Sequence, residues 1–253
     1  MDLDKAAVIA ERGAKTVYLD KETNSAVKVF GGAYAKADIL NEARNHAIIE
    51  ETGLPVPALK AVEMVGGQWA IVTEYIKGRT LARLMAEDPA NFDLYMDMLV
   101  EVQVEIHDAR APMLNRLKDK MRRKIKEADV SPVTRYEVER RLESAPDHVK
   151  VCHGDLNPTN IIIDGEGRPF VLDWARATQG NASADAARTY LLFRLAGDAD
   201  IAEKYLDAFC AKTSTDKRYV QQWLPIVAVS RSVKGKPEER EFLLGWTRVF
   251  EYE

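Results

Sequence analysis

Cysteine is scarce in this chain of 253 residues and occurs only at Cys152 and Cys210. Two cysteines so far apart argue against a disulfide framework, so we expect a reducing, cytoplasmic environment. The chain also lacks an apolar run of the roughly 20 residues that span a bilayer. Its first residues, MDLDKAAVIAERG, lack the apolar stretch of a signal peptide. We therefore expect neither a membrane segment nor a targeting segment.

An excess of basic residues is missing as well. Lys and Arg number 36 against 40 Asp and Glu, which gives a net charge of −4. Nucleic-acid-binding domains usually carry surplus positive charge, and anionic membrane surfaces attract basic segments, so we expect neither partner. The hydrophobic fraction of 46% is enough for a substantial core, in one large domain or in two lobes.

The character of the sequence changes near residue 76. Before this point, β-prone runs bounded by turn-forming residues surround one helical pattern. After it, helical patterns predominate, with one β-like stretch from Val149 to Trp174. We therefore predict an α+β fold with a small strand-rich N-terminal lobe, residues 1–76, and a larger helical C-terminal lobe, residues 77–253. The β-prone runs cover residues 17–19, 26–30, 59–65 and 69–75, and the helical pattern covers residues 35–52.

A glycine-containing turn separates two apolar runs in the segment NIIIDGEGRPFVLD. This pattern predicts a hairpin with its turn centred at residues 166–167. Such a turn pairs Ile163 with Phe170 and places Asn160 opposite Asp173. Opposed residues point to the same face, about 5 Å apart, so an amide oxygen and a carboxylate are expected to converge at the open end of the hairpin.

These side chains indicate a metal site. Mg²⁺ commonly takes one or two protein oxygen ligands and completes its shell with phosphate oxygens and water. We therefore predict Asn160 and Asp173 as metal ligands. Asp155 lies just upstream, where a carboxylate can orient an acceptor hydroxyl and take its proton during phosphoryl transfer. Each of the three residues alone could be structural, but the three in this arrangement favour a catalytic site.

The segment HGDLNPTNIIID with the later FVLDW resembles the aminoglycoside phosphotransferase and choline kinase family, relatives of the protein kinases. The resemblance covers about residues 12–196. It implies a protein-kinase-like two-lobed fold with a catalytic hairpin in the C-terminal lobe. It also implies transfer of the γ-phosphoryl group of ATP or GTP to a hydroxyl of a small molecule, such as an aminoglycoside or another hydroxylated amine. Mg²⁺ is the implied cofactor.

The resemblance extends to residues of the first lobe. Lys28 in the segment AVKV resembles the lysine that binds nucleotide phosphates, and Glu42 resembles its partner on the following helix. The segment VTEYIKG resembles the hinge of these kinases. It implies that the Glu74 carbonyl and the Ile76 N–H bind the base of the nucleotide, with Thr73 at the back of the pocket.

Two further regions bear on the phosphates and on the acceptor. The loop expected to cover the phosphates, residues 11–16, contains only one glycine, so Lys15 and Thr16 either assist the phosphates or form a hairpin tip. Acidic residues near the C-terminus suggest a cleft wall that attracts a polyamine, with residues 250–253 folding toward it. Alternatively, these charges are a solvated surface. They are Glu238, Glu239, Glu241, Glu251 and Glu253, together with Asp185.

Two other functions compete with an active small-molecule kinase. One is a nucleotide-binding pseudokinase that acts as an adaptor, and the other is a binding protein in which the loop match is accidental. Loss of a catalytic residue would favour the pseudokinase. The sequence retains all five expected residues, which favours the enzyme: Lys28, Glu42, Asp155, Asn160 and Asp173.

Overall fold

A computed structural model of the chain describes residues 6–233 and 237–247. The strands in these residues are β1 (Ala7–Arg12), β2 (Lys15–Asp20), β3 (Ser25–Phe30), β4 (Leu59–Val65), β5 (Gln68–Glu74), β6 (Gly78–Thr80), β7 (Lys150–Cys152), β8 (Ile161–Asp164), β9 (Pro169–Val171) and β10 (Thr178–Gly180). The helices are α1 (Lys36–Glu50), α2 (Leu81–Glu87), α3 (Phe92–Asp108), α4 (Leu117–Glu127), α5 (Pro132–Ser144), α6 (Ala182–Leu195), α7 (Ala199–Thr213), α8 (Lys217–Gln221), α9 (Leu224–Ser232) and α10 (Pro237–Gly245).

The chain divides into two compact units. The first unit runs to Asn91 and also takes in Pro158–Arg176. The second unit consists of Phe92–Asn157 and the chain from Ala177 onward. The β8–β9 hairpin therefore belongs to the same unit as the N-terminal sheet. These units are defined by contacts between residues and not by function. The predicted lobe boundary between residues 76 and 77 therefore stays a prediction.

A five-stranded antiparallel sheet forms most of the first unit, in the order β1-β2-β3-β5-β4. Because side chains alternate along a strand, Val27 and Val29 pack on one face of the sheet. Phe30 lies in a second cluster with Ile39 of α1 and Ile71 of β5. The alternation therefore also directs Lys28 toward the α1 side of the sheet. The predicted strands β2 to β5 and helix α1 are confirmed, whereas β1 was not predicted.

Helices dominate the second unit. Helix α6 packs against α7 and α9, and α3 packs against α7 and the short strand β7. Ten residues of α6 are buried, among them the polar residues Ser183, Asp185, Arg188 and Thr189. Asn181 caps this helix because its side chain accepts a hydrogen bond from the Ser183 N–H. In the part of the chain that the structure describes, no helix combines the length and apolar character needed to cross a membrane.

The register of the β8–β9 hairpin differs from the prediction by one residue. Ile163 pairs with Pro169, not with Phe170, and the pairing continues toward the open end with Ile161 opposite Val171. The difference arises in the turn. Gly167 has a left-handed φ of 82°, so the connection is a three-residue loop and not the predicted two-residue turn. The Asp164 carboxylate stabilises this loop by accepting the backbone N–H groups of residues 166 and 168.

This register also overturns the expected pairing of Asn160 with Asp173. The Asn160 carbonyl accepts a hydrogen bond from the Leu172 N–H at 2.8 Å, so Asn160 lies beside Leu172. Because side chains alternate, a shift of one residue turns a side chain to the other face of a regular hairpin. Asp173 therefore needs another structural device to reach the side on which Asn160 lies.

Strand β6 makes close contact with β8 at a glycine. Gly78 pairs with Asp164, and a Cβ atom at this position would lie 2.2 Å from the Ile163 carbonyl oxygen and 2.7 Å from Ile162 Cγ2. Glycine is therefore required here by the approach of the neighbouring backbone.

We predict that Gly78→Ala destabilises the protein, because the added methyl group must push β6 away from β8. Overpacking of this kind costs about 1–3 kcal/mol, which denaturant unfolding measures directly. Gly165→Ala is the matched control, since a Cβ atom there meets no atom within 4 Å. Equal stabilities of the two variants would contradict this explanation.

Candidate active site

The first unit contains a cavity of about 360 Å³ bordered by the sheet, α1 and the β8–β9 hairpin. Strand β3 and helix α1 bring residues from the N-terminal part of the chain, and the hairpin brings residues from much later in the sequence. Six of the seven predicted site residues line this cavity: Lys28, Glu42, Glu74, Ile76, Asn160 and Asp173. The seventh, Asp155, belongs to the second unit.

Lys28 connects three elements at the centre of the cavity. Its ammonium group lies 2.5 Å from Glu42 Oε1 of α1 and 3.2 Å from Asp173 Oδ1 after β9. Burial lowers the pKa of Lys28, but the two carboxylates raise it more, so that the pKa lies above its ordinary value. The ammonium group is therefore held in its charged form, which is the form that binds phosphate.

A second lysine approaches the same glutamate. Lys15 Nζ of β2 lies 3.4 Å from Glu42 Oε2 and above the rings of Phe30 and Tyr34, 5.3 and 5.2 Å from their centres. Burial, together with the positive charge of Lys28, lowers the pKa of Lys15. Lys15 also lines the cavity.

Asp173 reaches the cavity because its backbone leaves the strand conformation. Its φ angle is 64°, in the left-handed region that non-glycine residues rarely adopt. The following residue anchors the bend, since Trp174 is fully buried and its carbonyl accepts a hydrogen bond from Asn45 Nδ2 of α1. The strained residue is therefore held by its neighbour. This local conformation offsets the one-residue difference in register and brings Asp173 into the cavity with Asn160.

Arg12 is a cavity residue that sequence reasoning missed. Its Nη1 donates a hydrogen bond of 2.6 Å to Asn160 Oδ1, and its Nη2 donates one of 3.0 Å to the Thr159 carbonyl. The residue ends β1, a strand that was not predicted. A basic residue directly before Gly13, in the segment expected to cover phosphates, was the available signal.

Asn160 and Asp173 are suitable ligands for a divalent cation. Both present hard oxygen atoms to one cavity, and both oxygens already contact a positive group, Asn160 Oδ1 that of Arg12 and Asp173 Oδ1 that of Lys28. Carboxylate and amide oxygens are the ligands that Mg²⁺ accepts together with phosphate oxygens. The donor set therefore fits a magnesium ion that a nucleotide brings with it.

The predicted hinge residues border the other side of the cavity. Thr73, Glu74, Tyr75 and Ile76 all line it. Two backbone N–H groups here have protein partners, because Glu74 N donates to the Ala58 carbonyl at 2.8 Å and Tyr75 N to the Asn24 carbonyl at 3.2 Å. Among residues 6–233 and 237–247, none accepts a hydrogen bond from the Ile76 N–H. That donor is the one expected to bind the base of a nucleotide.

In the second unit, Asp155 is held by an arginine of α6. Arg188 Nη2 donates a hydrogen bond of 2.6 Å to Asp155 Oδ1, and Arg188 Nε donates one of 3.4 Å to the Gly154 carbonyl. The Asp155 side chain keeps 23% of its surface exposed, whereas that of Arg188 keeps 7%. The buried cation thus fixes one carboxylate oxygen of the predicted catalytic residue. Sequence reasoning did not identify Arg188.

Asp185 fixes the loop that precedes Asp155. Its carboxylate accepts hydrogen bonds from the Gly154 N–H at 2.7 Å and the His153 N–H at 3.2 Å, and His107 Nε2 lies at 3.0 Å. Burial by itself raises the pKa of Asp185, but the interactions with His107, His153 and the Gly154 N–H outweigh it, and the pKa lies below its ordinary value. Asp185 is therefore a structural carboxylate that stays charged.

These contacts correct the expectation that Asp185 belongs to an acidic cleft wall. The residue is only 2% exposed and its carboxylate is used inside the unit, so it offers no charge to a substrate. Glu238 and Glu241 are exposed on α10. Residues 250–253, which were expected to fold toward the cleft and include Glu251 and Glu253, lie outside the described residues.

The model of a family described as "Phosphotransferase enzyme family" matches residues 8–223. No curated protein matches the chain significantly. The fold is similar to that of aminoglycoside phosphotransferase APH(4)-Ia, with a TM-score of 0.71, 14% identity, and coverage of 97% of this chain and 92% of that one. A thermostable mutant of that enzyme was solved in ternary complex with ADP and hygromycin B.

A choline kinase and a choline/ethanolamine kinase family protein also have similar structures. A choline/ethanolamine kinase family protein from Mesorhizobium loti has a TM-score of 0.66 at 14% identity, over 98% of this chain and 88% of that one. Choline kinase LicA from Streptococcus pneumoniae has a TM-score of 0.64 at 16% identity, over 96% of this chain and 91% of that one. These similarities confirm the predicted protein-kinase-like α+β fold.

We predict that Asp185→Asn destabilises the protein, because one buried carboxylate satisfies several donors. The loss should be about 3–5 kcal/mol, as when one partner of a buried ion pair is removed. Denaturant unfolding at neutral pH measures it, with Asp200→Asn, at an exposed position of α7, as the control.

The pH dependence of the effect follows from the lowered pKa of Asp185. A carboxylate with a lowered folded-state pKa stabilises the protein above the unfolded-state pKa of about 3.9. That stabilisation is lost as the pH falls through the folded-state value. The stability difference between the wild type and Asp185→Asn should therefore shrink on acidification. A difference that does not change between neutral and strongly acidic pH would contradict the assignment of a charged Asp185.

Proposed function

We propose that this chain, which belongs to the phosphotransferase enzyme family, is a small-molecule kinase. It would transfer the γ-phosphoryl group of ATP or GTP to a hydroxyl group of its acceptor. The observation that carries this proposal is the cavity in which Lys28 bonds Glu42 and Asp173 beside Asn160. A phosphate-binding cation and two oxygen ligands for a metal are the groups that phosphoryl transfer requires.

In this proposal each cavity residue has a distinct role toward the nucleotide. Lys28 binds the α- and β-phosphates, and Glu42 holds its ammonium group in place. The Glu74 carbonyl and the Ile76 N–H bind the base, while Thr73 lines the back of the pocket. Asn160 and Asp173 would hold Mg²⁺, and the bound ion would neutralise negative charge on the phosphate oxygens.

Asp155 would orient the acceptor hydroxyl and accept its proton. Arg188 supports this role because it bonds one oxygen of Asp155 and leaves the carboxylate partly exposed. A charged hydrogen bond of this kind restricts the carboxylate to one orientation. Arg188 is therefore a positioning residue in this proposal, whereas Asp155 touches the acceptor.

The acceptor would be a small hydroxylated molecule, and an aminoglycoside or another amine is the class to test first. This choice follows from proteins of similar structure. They include an aminoglycoside phosphotransferase in complex with hygromycin B, a choline kinase, and a choline/ethanolamine kinase family protein. A screen for ADP release over hydroxylated amines, sugars and antibiotics, with and without Mg²⁺, tests the function. Nucleotide binding without turnover on any acceptor would instead favour a pseudokinase.

Replacement of the proposed base should stop the chemistry and spare the nucleotide. We predict that Asp155→Asn lowers kcat at least about 100-fold, the lower range for a positioned general base. Nucleotide affinity measured by calorimetry should not change, because Asp155 is not among the residues that line the cavity. Asp129→Asn, an exposed position of the second unit, is the control. A variant with nearly normal turnover would remove Asp155 from the mechanism.

Replacement of a metal ligand should remove the effect of magnesium on nucleotide binding. We predict that Mg²⁺ tightens binding of AMP-PNP to the wild type but has little effect on Asp173→Ala, because one of two protein ligands is lost. Calorimetric titrations in Mg²⁺ and in EDTA measure the difference. Asp38→Ala, at an exposed position of α1, provides the comparison. Equal enhancement by Mg²⁺ in the wild type and Asp173→Ala would rule out this ligand.

A further inference from the structure

The β1–β2 hairpin places a positive side chain on a predicted metal ligand. Arg12 ends β1 and pairs with Lys15, the first residue of β2. Its guanidinium group crosses to the β8–β9 side of the cavity, where Nη1 bonds Asn160 Oδ1 at 2.6 Å and Nη2 bonds the Thr159 carbonyl at 3.0 Å. Both bonds come from one planar fork, so the guanidinium group has a defined orientation.

The backbone of the hairpin is tied down at its tip. The Ala14 carbonyl accepts a hydrogen bond of 2.8 Å from the Gly31 N–H. A Cβ atom on Gly31 would lie 2.9 Å from that oxygen, so glycine permits the close approach of the tip to the end of β3. A change of partner by Arg12 therefore requires rotation of its flexible side chain and no movement of the hairpin backbone.

Arg12 and a magnesium ion would compete for the same oxygen. The Asn160 side chain has a single oxygen acceptor, whereas Asp173 has two carboxylate oxygens and can contact Lys28 and a metal together. Magnesium binds oxygen at about 2.1 Å, so a guanidinium nitrogen on the same atom would be within about 5 Å of the ion. Like charges at that distance repel each other, and more strongly in a partly buried cavity than in water.

The terminal phosphate of the nucleotide is the negatively charged group that Arg12 would bind in place of Asn160. Asn160 and Asp173 would hold an ion that neutralises charge on the β- and γ-phosphates, so a cation next to Asn160 would be next to that end of the nucleotide. Guanidinium groups bind phosphate through two parallel hydrogen bonds. The segment over the phosphates is poor in glycine, with Gly13 alone in residues 11–16, and an arginine can supply donors that backbone N–H groups supply elsewhere.

We propose that Arg12 is the residue that binds the terminal phosphate of the nucleotide, and that it exchanges Asn160 Oδ1 for this phosphate when the magnesium–nucleotide complex enters. The inference rests on the proposed function, because it requires that the cavity take a nucleotide with its metal. It adds a contact that discriminates a triphosphate from a diphosphate. Arg12 thus becomes a specificity-determining residue of the β1–β2 hairpin.

Calorimetric binding of Mg²⁺ with AMP-PNP and of Mg²⁺ with ADP tests the exchange without reliance on turnover. For Arg12→Gln we expect AMP-PNP affinity to fall about 10- to 100-fold, the value of one or two charge-assisted hydrogen bonds, with ADP affinity little changed. Arg12→Lys should fall between the wild type and Arg12→Gln, because it keeps the charge and loses the fork. Arg83→Gln is the matched control, since Arg83 is exposed and pairs with Glu87 away from the cavity.

The possible results distinguish a failure of the Arg12 inference from a failure of the proposed function. AMP-PNP affinity that is unchanged or increased in Arg12→Gln overturns the exchange. An equal loss for AMP-PNP and ADP overturns the assignment to the terminal phosphate. Both results would leave the proposed function intact, because the wild type would still bind nucleotide with Mg²⁺. A wild type that binds neither nucleotide refutes the proposed function, and the inference about Arg12 falls with it. Unfolding midpoints of the variants establish that their differences come from binding.

Discussion

The first unit depends on the ammonium group of Lys28. This single charge lies within bonding distance of Glu42 on α1 and of Asp173 after β9, so it joins the sheet, the helix and the hairpin. A partly buried lysine without carboxylates would lose its proton or leave the cavity. The Glu42 and Asp173 carboxylates without the lysine would repel each other. Lys28 and the two carboxylates therefore stabilise one another only when the sheet, the helix and the hairpin come together.

The second unit also contains a charged group in its interior, but here the charge is negative. Asp185 is a buried anion, and its oxygens are surrounded by donors from the loop before Asp155 and from His107 of α3. The loop residues gain a fixed position because the Asp185 carboxylate accepts the N–H groups of His153 and Gly154. Arg188, one turn further along α6, reaches Asp155 itself. Helix α6 therefore determines both the path of the loop and the orientation of its carboxylate.

Much of this organisation could be predicted from the sequence because it is local. Strands β2 to β5 and helix α1 follow from the periodicity of apolar residues, and the pattern HGDLNPTN identifies the loop. The hairpin register could not be predicted with certainty, because a two-residue turn and the observed three-residue loop use the same glycines. The roles of Arg12 and Arg188 depend on contacts with residues 148 and 33 positions away. Periodicity and spacing contain no information about such partners.

The first unit is built from two separate pieces of chain, and this has a consequence for the order of folding during synthesis. Residues up to Asn91 leave the ribosome first, but the unit also needs Pro158–Arg176. Synthesis proceeds at about 5–20 residues per second, so the nascent sheet waits several seconds for its last hairpin. During this interval Lys28 can form an ion pair with Glu42 but not with Asp173. The surface of α1 that will contact Trp174 stays exposed to solvent or to chaperones.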